Sequence, residues 1–244
     1  MVNLTKIATT APKNLDKENI KLKSAELTKK ISELQNIFYA SSQKGLLIIL
    51  QGIDASGKDG LISNVFHGIN PLGCTVKAFK APNEDELKHD FLWRVHQHAP
   101  AKGMIQIFNR SHYEDVLITR VEKWIDTSTA KKRFMHINHF EDMLTDNGTV
   151  ILKFYLHISR KVQAERLLER QTNPKKFWKH NDADWQTNRK WDLYRDAYHD
   201  VFKYCNHHAW TIIPSDNNWY KEYLVAEKIY STLKGLKLRY PALK

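Results

Sequence analysis

Leu46-Leu-Ile-Ile-Leu-Gln-Gly52-Ile-Asp-Ala-Ser-Gly-Lys58-Asp-Gly60 runs five apolar residues straight into a glycine-flanked loop. A short continuous apolar run suits a strand buried on both faces of a parallel sheet. A strand that empties into Gly-x-x-x-x-Gly-Lys is the pattern of a phosphate-binding loop. The loop residues Gly52, Ala55, Ser56, Gly57 and Gly60 would wrap backbone N–H groups round a phosphate, and Lys58 adds a point charge. Asp59 stands where a Ser or Thr usually meets magnesium, and Asp54 puts a second carboxylate inside the loop. The pattern points to a phosphotransferase that handles its metal or its nucleophile with carboxylates.

Working outward, apolar residues from Ile20 to Ala40 recur at helical spacing, and residues 1–19 read as a flexible N-terminal arm. Further strands are expected at Thr75–Phe79, Met104–Phe108, Thr149–Leu156 and Trp210–Ile213. Helices are expected at Gly57–Phe66, Glu84–His98, Val116–Trp124, Lys132–Leu144 and Trp219–Leu233. Alternating strands and helices give an α/β three-layer sandwich with a parallel central sheet, in one domain over residues 20–244. Residues 160–195 carry ten basic against five acidic side chains, broken at Pro174, and read as a helical lid closing over the loop.

The 244 residues carry a net charge of +11, from 38 basic and 27 acidic side chains, which suits a polyanionic partner. Two cysteines are too few for a disulfide framework. With no apolar run near 18 residues, the expected setting is the cytoplasm, with no membrane partner. No nucleic-acid-binding module is evident, so nucleic acid is not expected as a partner.

Asp54 can deprotonate or orient an attacking phosphate oxygen, or bind magnesium through water. The second reading is favoured because a terminal phosphate is already nucleophilic. Asp59 is either a further metal partner or a helix cap. Asn109-Arg-Ser-His-Tyr-Glu-Asp115 follows the third strand, at the sheet edge where ligands bind in such folds. Arg110 there is the residue expected to touch transferred phosphate. Glu114 and Asp115 are candidates for metal or base recognition. Lys80 and Arg94 are expected to line a phosphate cleft, and the lid residues Arg166, Arg170, Lys175, Lys176 and Lys179 to clamp a polyanion. The tryptophans, Trp178 among them, read as packing residues.

The loop, Asn70-Pro-Leu-Gly73, Phe79-Lys-Ala-Pro82, Asp90-Phe-Leu-Trp-Arg94, Phe108-Asn-Arg-Ser-His-Tyr-Glu-Asp-Val-Leu117 and Trp191-Asp-Leu-Tyr194 together resemble the polyphosphate kinase 2 family from about Leu34 to Leu233. The resemblance implies a thymidylate kinase-like fold and reversible phosphoryl transfer between inorganic polyphosphate and nucleotides. It implies magnesium, or manganese in its place, and a homo-oligomer, dimer or tetramer. Asp54 would match the family's loop carboxylate, Lys58 its loop lysine, Arg110 the arginine after the third strand and Arg170 the lid arginine. Many members carry Asp at the position of Asn109 and Asn at that of Glu114. The exchange here resembles the subgroup (class III) that phosphorylates both AMP and ADP, forming ADP and ATP, with guanine nucleotides as further acceptors. The rival reading is an ATP-dependent nucleoside monophosphate or small-molecule kinase.

Overall fold

A computed structural model describes residues 2–243. Five strands form one parallel sheet in the order β2-β3-β1-β4-β5: β1 Gly45–Gln51, β2 Cys74–Ala78, β3 Ile105–Asn109, β4 Thr149–His157 and β5 Trp210–Pro214. β1 lies in the middle and is buried along its whole length, as its unbroken apolar run requires. Its side chains alternate between two cores. Leu46, Ile48 and Leu50 face α1 (Lys17–Ser41), α2 (Lys58–Val65) and α9 (Asn218–Gly235). Leu47 and Ile49 face the opposite core, which holds residues of α5 (Thr127–Asp146) and α8 (Trp191–Tyr204). Three layers result. Among the described residues no helix is long and apolar enough to cross a membrane.

Two expected helices are broken. In place of one helix over 84–98 there is a 3-10 turn at Glu86–Lys88 and then the single turn α3, Trp93–His96. His89 is extended, and Asp90 accepts from Leu92 N at 2.9 Å to restart the chain. The region 116–124 holds a 3-10 turn, His112–Val116, and one turn of helix, α4, Ile118–Val121; Lys123, with φ +59°, lies just past its end. The N-terminal segment is a docked strap and not a loose arm. Leu4 is buried, its carbonyl lies 3.1 Å from His157 Nε2, and Thr9 exchanges two hydrogen bonds with Asp216.

The lid region comprises α6 (Arg160–Thr172), a 3-10 stretch from Pro174 to Lys179, and α7 (Ala183–Arg189). Ser159 caps α6 through Val162 N, and Asn173 caps the turn at Pro174. α8 then returns the chain to the body, its buried face set by Tyr194, Ala197, Tyr198, Val201 and Phe202.

Candidate active site

β1 delivers Gly52 to the carboxyl edge of the sheet, and Gly57 (φ +92°) turns the chain into the N-terminus of α2. Neither glycine has room for a side chain. A Cβ at Gly52 would lie 2.7 Å from Ser56 Oγ, and one at Gly57 would lie 2.4 Å from Lys221 Nζ. Gly60 differs: a Cβ there would meet nothing within 4 Å. Ala55 and Arg110, both non-glycine, hold φ of +63°. Strained conformations of this kind cost about 1–3 kcal/mol each and gather at binding sites.

Lys58 is 8% exposed and folds back to donate to Gly52 O at 2.8 Å. Burial and the nearby Arg110 push its ammonium down to about 8. Asp54 is bonded to Arg110 and accepts from Thr187 Oγ1 at 3.1 Å, while its carbonyl accepts from Gln163 Nε2 at 3.1 Å. Burial pushes the Asp54 carboxyl up, but Arg110, Lys58 and the Thr187 hydroxyl outweigh it and hold the group below its ordinary value. Asp59 accepts from Asn109 at 2.9 Å and from Lys179 at 3.2 Å.

Two clefts meet here. The larger, about 770 Å³, is lined by the loop, Lys80, Asn109, Arg110, Arg166, Arg170, Lys176, Lys179 and Trp178. The smaller, about 340 Å³, holds Glu114, Glu122, Trp124, Tyr194 and Tyr198. Asp54, Arg110, Asn181 and Asp184 line both and form the shared wall. The first cleft is cationic and suits phosphates. The second combines aromatic faces with carboxylates and suits a planar ring bearing amino groups. Burial pushes Glu114 above its ordinary value against the pull of Arg110 and Lys58. Asn109 and Glu114, five residues apart in sequence, thus face different clefts.

The lid residues divide. Arg170 pairs with Asp184, Lys176 with Glu169 at 2.6 Å, and Lys179 reaches Asp59. Arg166 is tied to the body through Ala55 O at 2.9 Å, Ser215 O at 2.9 Å, Asp216 O at 3.0 Å and Asn218 Oδ1 at 3.2 Å. Lys175 is exposed and lines neither cleft. Trp178, expected to pack, is 77% exposed at the rim.

Arg94 and Asp115 correct the sequence reading. Arg94 is buried and bound to Lys80 O at 2.9 Å, Glu86 at 3.4 Å and Asp115 at 3.6 Å. Asp115 is held between Arg94 and Arg133. Both lie outside the clefts and brace the loops that carry Lys80 and Arg110. Asp115 is therefore not placed to bind the metal, nor Arg94 to hold phosphate.

Among the described residues no three His, Cys, Asp or Glu side chains converge on a metal position. Asp54 and Asp59, both lining the phosphate cleft, offer hard oxygen donors. Such a sparse carboxylate set fits magnesium or manganese held mainly by water and substrate phosphates. Lys221, which the sequence reading passed over, lies under the loop with its Nζ 3.2 Å from Gly57 O. Only its place one turn into α9, beside otherwise apolar positions, marked it.

The family model described as Polyphosphate kinase 2 (PPK2) matches residues 14–240. An AMP/ADP-polyphosphate phosphotransferase of Meiothermus ruber is 47% identical over 219 residues, 89% of this chain and 82% of the relative. An ADP-polyphosphate phosphotransferase of Rhodopseudomonas palustris is 41% identical over 226 residues, 87% of this chain and 78% of the relative. The crystal structure of polyphosphate kinase 2 from Arthrobacter aurescens TC1 superposes with a TM-score of 0.96 at 36% identity, over all of this chain and 89% of that one.

Proposed function

The chain belongs to the polyphosphate kinase 2 family, and from that premise we propose that it moves the terminal phosphoryl group of inorganic polyphosphate to AMP and ADP, reversibly, in the cytoplasm. The observation that carries this reading is the pair of chemically distinct clefts sharing the Asp54–Arg110 wall. The phosphate chain lies in the cationic cleft against the loop amides. The nucleotide base enters the aromatic cleft, where Glu114 accepts from a ring amino group, and the same acceptor serves guanine nucleotides. The nucleotide's terminal phosphate then reaches Arg110 from the far side of the wall.

An oxygen of that phosphate attacks the terminal phosphorus of the chain in line. The new P–O bond forms as the bridging P–O bond breaks, and the shortened chain leaves as an oxyanion. The nucleophile is already anionic, so no base need remove a proton. Lys58 turns from Gly52 O to the phosphate, and Arg110 and Arg170 meet the charge spread over the equatorial oxygens. Asp54 keeps Arg110 aimed at the wall, and with Asp59 it would hold magnesium or manganese. That ion supplies charge neutralisation on the phosphate oxygens. The lid, within residues 160–195, closes on the chain.

The test is a substrate matrix with purified protein and magnesium: polyphosphate or ATP as donor, against AMP, ADP, GMP and GDP. ATP formation from ADP and polyphosphate is expected. Transfer from ATP alone, with polyphosphate inert, would overturn the reading in favour of an ATP-dependent kinase.

A further inference from the structure

Lys221 is 1% exposed, yet no carboxylate lies within ion-pair distance of it among the described residues. Its Nζ contacts only neutral oxygens: Asn218 Oδ1 at 3.0 Å, Gly57 O at 3.2 Å and Ser56 O at 3.4 Å. Three further features work against a cation there. It sits one turn into α9, at the positive end of the helix dipole. Arg166 from α6 and Lys58 from α2 repel it, and Glu222 of α9 is the only acidic group that offsets them. Burial and those two cations push its ammonium down to about 7. A buried charge without a partner is destabilising, so stability does not account for it.

The two loop carbonyls it touches belong to the peptide units whose N–H groups are those of Gly57 and Lys58. These are the amides that open α2 and face an anion at the loop. A cation on a carbonyl oxygen polarises the whole peptide unit and makes its N–H a stronger donor. Gly57 is also free to turn, since glycine adopts either sign of φ. A turned peptide would aim a carbonyl at the phosphate.

We propose that Lys221 is a positioning residue that holds the Ser56–Gly57 and Gly57–Lys58 peptide units from behind with their N–H groups aimed at the phosphate chain, and that the bound chain is the counter-charge this buried ammonium lacks. The inference deepens the proposed function and rests on a phosphate chain binding the loop. Nothing in it depends on which nucleotide accepts. Gly57 acquires a second reason to be glycine, because the ammonium occupies the space a Cβ would need.

The experiment uses the full chain, tripolyphosphate as the probe and calorimetric titration as the readout, with no transfer step. Lys221→Met keeps the volume and removes the charge; Lys221→Arg keeps a charge. The Met variant should keep a cooperative thermal unfolding transition and bind tripolyphosphate about ten-fold more weakly, the scale on which groups outside a binding shell act. The Arg variant should recover part of that loss. Binding to the parent should also weaken as pH rises from about 6 to about 8, because the anion favours protonated Lys221 and Lys58, and this slope should become shallower in both variants, the remainder belonging to Lys58. A Met variant that binds within about two-fold of the parent with an unchanged pH slope overturns the role of Lys221. A parent that binds no tripolyphosphate overturns the inference together with the phosphate-chain reading beneath it.

Discussion

Asp54→Asn separates a residue kept for chemistry from one kept for the fold. The amide preserves the shape and can still accept from Thr187 Oγ1, now at 3.1 Å from Asp54 Oδ2. It removes the charge facing Arg110. That pair is part-exposed, with side chains 22% and 37% accessible, so its solvent-screened contribution is about 0–1 kcal/mol. Part of that is returned, because the Asp54 charge helps push Asp184 and Glu114 above their ordinary values. The expected stability change at pH 7 is within about 1 kcal/mol of zero. Asp54 titrates below its ordinary value in the fold, so its contribution is present above about pH 4 and fades as pH falls through the depressed value. Any stability gap between parent and variant should therefore close in acid. Activity should behave differently. Losing the group that aims Arg110 and helps hold the metal should lower kcat by about 10²–10³-fold, or about 3–4 kcal/mol of barrier. Thermal unfolding by circular dichroism gives the first quantity, and luminescent detection of ATP from ADP and polyphosphate gives the second. A variant with kcat within about three-fold of the parent, or one whose loss of activity only follows its loss of folded protein, would refute the assignment.

Arg94→Met should act in the opposite sense. It leaves Asp115 with Arg133 alone and Glu86 with Asn83 N, so urea unfolding should record a loss of about 1–3 kcal/mol, while polyphosphate affinity of the remaining folded protein stays close to that of the parent. Glu114→Gln removes a buried carboxyl that titrates above its ordinary value. The stability Glu114 gives is present below about pH 4 and is lost as pH rises through its raised value, so melting curves should show the variant gaining on the parent towards neutral pH; its AMP-to-ADP rate ratio should shift as well. Among the lid lysines, Lys179→Ala should raise KM for polyphosphate several-fold, about 1 kcal/mol of binding, whereas Lys175→Ala, outside both clefts, should leave it unchanged; equal effects in steady-state kinetics would remove the division between them.

The sheet was legible because β1 and its loop obey two independent rules at once, unbroken burial and glycine at fixed spacing. The broken helix at 84–98 was not. Leu87, Phe91, Leu92 and Val95 mimic helical spacing, and Asn83 with Glu86 forms a reciprocal cap. Yet Leu87 is 68% exposed, so the pattern does not report one buried face. Arg110, Lys58 and Asp54 were singled out by their place at strand ends, and the structure gathers all three on one cleft. Asp115 looked alike on that criterion, and Arg94 was expected on the helix after the second strand, but the two pair with each other and with Glu86 and Arg133, and sequence spacing does not register such pairing. Lys221 was missed for the reverse reason: one of three lysines in an amphipathic helix reads as a solvated side chain.

The hydrogen bonds of residues 160–189 separate anchored contacts from exchangeable ones. Seven cations and four carboxylates line the phosphate cleft, and in the free protein most are already engaged. Arg166 makes four bonds to the body, three of them to part-buried backbone carbonyls that would lose a donor if a phosphate took their place. It therefore fixes the base of α6. Lys179 and Asp59 are 31% and 61% exposed, a pair worth little in water and easily exchanged. On the proposed function, an arriving phosphate would give Lys179 a stronger partner and leave Asp59 with Asn109 alone, beside the chain, where a carboxylate needs a cation. That exchange would draw residues 174–179 toward the chain and leave the exposed Asp59 carboxylate available to a divalent ion carried by the phosphates. On the proposed function, inward movement of residues 174–179 and metal binding would be coupled through the Lys179–Asp59 pair, with Arg166 holding α6 to the body.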